Sequence, residues 1–136
     1  MTQDLTADES ELLVRGLGSA GGRGAAFAAK RMRADVFETE AILETPVAEA
    51  VARVRSLLGE WGALIDEEST SDGRRLRGMI GAGSMNLNPT VVTVYLSESG
   101  PSATAARVRG VAREGLIKQR AGRKAAERVA AHLRGA

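Results

Sequence analysis

Few residues in this chain are equipped for chemistry, and the best placed of them are arginines. There is no cysteine and a single histidine, His132, so disulfide frameworks, thiolate metal sites and cysteine nucleophiles are excluded. A nucleophilic hydrolase would also lack its usual base, and no G-x-S-x-G elbow is present. Arg107, Arg109 and Arg113 share a parity, so a strand carrying them directs all three to one side. The row continues toward Lys118 and Arg120. Aligned in this way, these side chains could recognise an anionic surface, with strongly salt-dependent binding to nucleic acid or acidic lipid. The charge distribution points the same way. Residues 1–100 carry 10 Lys/Arg against 15 Asp/Glu, whereas residues 101–136 carry 9 against 2. The net charge of +2 therefore sums an acidic body and a basic last quarter, which could mark a surface for nucleic acid, acidic lipid or an acidic protein patch; equally, it could be the solvated face of a helix.

A second constellation is Ser84-Met85-Asn86-Leu87-Asn88-Pro89. The Asn86 and Asn88 amides could contact a ligand at the sheet end while Met85 and Leu87 line its entrance; equally, the amides could satisfy loop backbone groups. Gly16-Leu17-Gly18-Ser19-Ala20-Gly21 matches G-x-G-x-x-G literally, but no βαβ unit surrounds it, so a flexible linker is the reading and no cofactor is implied. Arg23, Lys30, Arg31 and Arg33 lie in or beside that glycine-rich stretch, without the repeated arginines and aromatics of an RNA-binding segment. Asp66-Glu67-Glu68 could offer oxygens to a hard cation, yet no second acidic cluster completes a shell, and a solvated strand end is expected.

These residues need elements to hold them. Residues 1–35 read as a Gly-rich, flexible arm, with residues 1–14 a mobile arm or one helical turn. From residue 36 the patterning is regular. Residues 37–44 alternate as a half-exposed strand. Thr45-Pro46 supplies an N-cap and the proline favoured at the first helical position. Val47, Val51, Val54 and Leu58 then recur at helical spacing until Gly59. Residues 61–68, 75–82, 90–98 and 103–113 read as four strands joined by short turns, an antiparallel meander. The chain closes with an amphipathic helix from Ala121, whose apolar half includes Val129 and Leu133 and whose polar half carries Arg123, Lys124 and Arg128.

The order β-α-β-β-β-β-α specifies a two-layer α+β domain, an antiparallel sheet with helices on one face, over residues 36–136. Element order, the Thr45-Pro46 helix start, the connection at residues 83–89 and the long helix after Gly115-Leu116-Ile117 resemble the small bacterial TATA-binding-protein-like and helix-grip domains, relatives of the START group. The resemblance covers residues 36–133 and implies fold only, since such domains bind lipids, polyketides or nucleic acid. The expected function is a small non-catalytic binding or interaction domain. Its ligand would be a small hydrophobic molecule between the sheet and the C-terminal helix, near Val92, Val94, Val129 and Leu133, with Met85, Asn86 and Asn88 at the entrance. The alternative is anionic-surface recognition through Arg107, Arg109, Arg113, Lys118 and Arg120. Neither requires a cofactor or metal, and the sheet's open face leaves room for a second copy of the chain. With 43% apolar and 26% charged residues, an acidic start and no long apolar run, a cytoplasmic protein without a transmembrane segment is expected.

Overall fold

In the computed structural model, residues 4–16, 33–82, 88–114 and 119–135 are described. Helix α1 spans residues 7–16, and it is followed by β1 (Arg33–Leu43), α2 (Val47–Trp61), β2 (Gly62–Ser69), β3 (Gly73–Ala82), β4 (Asn88–Gly100), β5 (Ala103–Glu114) and α3 (Ala121–Gly135). The five strands form one antiparallel sheet in the order β1-β5-β4-β3-β2. The four later strands form the expected meander, and β1 pairs along the free side of β5. The α+β class and the antiparallel sheet of the sequence reading are thus those of the structure.

Period-2 alternation sorts the sheet into two faces. Val92, Val94, Leu96, Leu76, Ile80, Val108 and Ala112 point to the side covered by α2 and α3, where Val54, Leu58, Val129 and Leu133 complete the main core. Close approach there is enforced by glycine. A Cβ on Gly110 of β5 would lie 2.0 Å from the Gly122 carbonyl oxygen, so α3 begins with its backbone against the sheet. Glu114 fixes that start: its Oε1 accepts hydrogen bonds from the Gln119 and Ala121 amides. At the other end, His132 packs edge-on against Trp61, tying α3 to the end of α2.

Three local expectations change. Helix α2 runs through Gly59 to Trp61 and is capped by Gly62; one exposed glycine costs too little to stop a helix whose Leu57 and Leu58 are buried. Pro46 is the N-cap of α2, without a side-chain cap, and Thr45 instead offers its carbonyl to the Thr104 hydroxyl. The third concerns the arm. Residues 7–16 form a helix docked on the second face of the sheet, with Leu13 buried among Val91, Val111, Val36 and Met79. Thr6 and Glu9 make a reciprocal capping box, the Glu9 amide donating to Thr6 Oγ1 and the Thr6 amide to Glu9 Oε1. The sheet also reaches three residues further back than residue 36, to Arg33. The glycine-rich motif beyond Gly16, together with Arg23, Lys30 and Arg31, lies outside the described residues.

Candidate functional site

Beyond the Leu13 cluster, the face of the sheet that carries α1 is polar where the other is apolar. Register places two rows of side chains across it. One row runs Glu68, Arg75, Tyr95, Arg107, Glu40 from β2 to β1, and the next runs Asp66, Arg77, Thr93, Arg109, Glu38. Four arginines thus stand on β3 and β5, on either side of Tyr95 and Thr93 of β4, with neighbouring strands about 4.8 Å apart in the pairing direction and carboxylates at both sheet edges. Helix α1 roofs part of the array. Beneath it lies a cavity of about 330 Å³ lined by Thr6, Asp8, Glu9, Glu38, Arg75, Arg77, Thr93, Tyr95, Arg107 and Arg109.

The arginines are engaged unequally. Arg109 is 4% exposed. It donates from Nε to Glu9 Oε2 at 2.8 Å and from NH2 to Glu9 Oε1 at 3.0 Å, a fork-to-fork pair. Its NH2 also donates to the Asp4 carbonyl at 2.6 Å, and Glu38 Oε1 stands 3.5 Å from NH1. Hydrogen bonding to Glu9 holds the Arg109 guanidinium above its ordinary pKa, with the Glu9 and Glu38 charges adding to that and burial opposing it. Arg77 donates from Nε to Asp66 Oδ2 at 3.1 Å. Arg75 reaches Asp66 at 3.2 Å and Glu68 at 3.3 Å, while its buried Nε has no hydrogen-bond partner among the described residues.

Arg107 differs from all three. Its guanidinium lies 4.4 Å from the centroid of the Tyr95 ring, a cation–π stack. No ion pair to Arg107 occurs among the described residues, although Glu40 is its register neighbour on β1. The side chain is exposed. Stacking leaves the edge of the guanidinium, with its N–H donors, free for a ligand.

The sites expected from sequence separate on this frame. Arg107 and Arg109 share the polar face. Arg113 lies further along it, donating from NH2 to Ser10 Oγ of α1 at 2.7 Å. Arg120 sits at the start of α3, exposed, with a left-handed φ of 53°. Val92, Val94 and Val129 are wholly inaccessible and Leu133 is 2% exposed, all in the main core. Zero accessibility leaves no water-sized space against them, so these positions are filled by packing. Asn88 lies in β4 and donates from Nδ2 to the Arg113 carbonyl at 3.1 Å and to Glu114 Oε2 at 3.2 Å, the backbone-satisfying role weighed for it. Met85, Asn86 and Lys118 lie outside the described residues. The Asp66 and Glu68 carboxylates serve Arg75 and Arg77, and among the described residues no group of three or more His, Asp or Glu side chains is placed to hold a metal ion.

Sequence reasoning passed over Arg75, Arg77, Tyr95 and Glu9. Tyr95 stands opposite Arg107 in the β4–β5 register, and Arg75 and Arg77 join the array through the β3–β4 register, opposite Tyr95 and Thr93. Glu9 was marked by Thr6-x-x-Glu9, a capping-box spacing just before Leu12-Leu13. No helix among the described residues is long and apolar enough to cross a membrane. Comparison with protein-family models, with curated proteins and with solved structures finds no match to this chain.

Proposed function

We propose that this chain is a small non-catalytic binding domain whose ligand is a small carboxylate- or phosphate-bearing anion, held by Arg107 with Arg75 at the cavity beneath α1. One observation carries the reading: among the four arginines of the two rows, Arg107 alone is stacked on an aromatic ring and not matched by a carboxylate among the described residues. A guanidinium anchored in this way loses little side-chain freedom when an anion docks. Among the other lining groups the Glu9 carboxylate is committed to Arg109 and Glu38 approaches the same guanidinium through Oε1, which supports binding over turnover. Carboxylates at both sheet edges favour a small anion over a nucleic-acid backbone or acidic bilayer, which would meet Glu40 and Glu68. The likeness to TATA-binding-protein-like and helix-grip domains remains part of the proposal as a likeness of architecture, with the ligand on the sheet face opposite α3.

The test is an NMR titration of the full chain with inorganic phosphate and with acetate at low ionic strength. Saturable shifts at the Tyr95 and Arg107 amides are expected, and Arg107→Gln weakens both by about tenfold or more, the scale of one charge-assisted hydrogen bond. Absence of saturable shifts, or equal affinity in Arg107→Gln, overturns the reading.

A further inference from the structure

The cavity beneath α1 does not end at Tyr95. A second basin, about 300 Å³, lies on the far side of the Tyr95–Arg107 stack and shares both residues with the first. Its chemistry differs. Ile42 and Ala105 present apolar side chains to it beside the polar Glu40, Thr70, Asp72 and Ser97, while Ala41, Leu96 and Ala106 border it with side chains that belong to the main core; the first basin is lined mainly by charged side chains and hydroxyls. Ile42 is 58% exposed, the more exposed of the two large apolar side chains that face solvent among the described residues. It pairs across strands with Ala105, two residues before Arg107 on the same face of β5. An exposed isoleucine beside a hollow, one step from an unmatched guanidinium, is the arrangement expected of a site for a molecule with one charged end and one apolar end.

We infer that the ligand is an amphiphilic organic anion, its carboxylate or phosphate on Arg107 and its apolar body lying over Ile42 and Ala105 in the second basin. This rests on the anion reading of the same site and names its ligand class. The head group gains charge-assisted hydrogen bonds from Arg107, and the body removes Ile42 from water. A bare inorganic anion uses the first contact only.

Acetate and 4-phenylbutyrate carry the same head group and separate the two contributions. Titrated into the full chain and followed by NMR, 4-phenylbutyrate is expected to bind at least about tenfold more tightly than acetate. It should shift the amides of Ile42 and Ala105, which acetate leaves in place. Ile42→Ser, a change at an exposed position, removes that advantage and leaves acetate affinity unaltered. Equal affinity for the two probes, or an advantage that survives in Ile42→Ser, overturns the amphiphile assignment while the anion site stands. Failure of both probes to bind overturns the anion site and this inference together.

Discussion

Arg107 and Arg109 are two residues apart on one face of β5 and meet opposite fates. What decides is the group above each. Over Arg109 α1 lowers Glu9, so the guanidinium is buried and fully engaged; Arg107, among the described residues, has the Tyr95 ring against it and no carboxylate. Removing Glu9 would take from a buried cation its fork-to-fork carboxylate, with Glu38 Oε1 3.5 Å away, and would also break the cap of α1. Glu9→Ala is therefore expected to cost about 3 kcal/mol or more, the scale for breaking one partner of a buried pair. Urea denaturation measures this, and a loss below about 1 kcal/mol would show the pair to be dispensable. Glu9→Gln should cost less, because an amide oxygen still caps Thr6. The parity of the arginines was legible from sequence, since alternation is a local property. Their pairing was not, because Glu9 and Arg109 are 100 residues apart in the chain and only the docked α1 brings them together.

At the scale of elements, legibility followed length and repetition. The four later strands and α3 announced themselves because each repeats its period over eight or more residues. Helix α1, ten residues long and beside a glycine-rich stretch, owes its stability to docking; so short a helix is marginal by itself. The end of α2 differs from its sequence expectation for a related reason. Glycine is a weak stop when the residues around it are held by packing, and α2 passes through Gly59 with Leu57 and Leu58 buried beside it. A Cβ at Gly59 would meet nothing within 4 Å. Gly59→Ala should therefore stabilise the protein by about 0.5–1 kcal/mol, by removing backbone freedom from the unfolded chain and raising helix propensity. A thermal melt checks this. A lowered melting temperature would mean that the helix needs glycine at this point.

Across the whole molecule, the acidic body and the basic last quarter are brought into register by the fold. Glu9 and Glu38 from the N-terminal third meet Arg109 from β5, and Asp35 of β1 accepts a hydrogen bond from the Arg123 amide at the start of α3. At Arg109 the charge segregation read from the sequence is thus internal complementarity, and within the two arginine rows Arg107 is the one with no ion pair among the described residues. The sheet's far edge has its own version. Glu67 of β2 accepts from Arg55 of α2, at 2.9 and 2.8 Å, and from Arg74 of β3, at 3.0 and 2.6 Å, joining a helix to two strands. Hydrogen bonding from Arg55, with a further contribution from Arg74 and against the opposing effect of burial, lowers the Glu67 carboxyl from its ordinary 4.5 to about 2. A carboxyl whose pKa is lowered on folding stabilises the protein fully above its unfolded value and loses that contribution as pH falls. For Glu67 the loss runs from about pH 4.5 down through about pH 2. Glu67→Gln should accordingly melt below the wild type at pH 7, and the gap should close across that interval as the wild-type carboxyl takes up its proton. A gap of constant size from pH 7 to pH 2 would mean that the bridge between α2 and the sheet edge contributes shape and not charge.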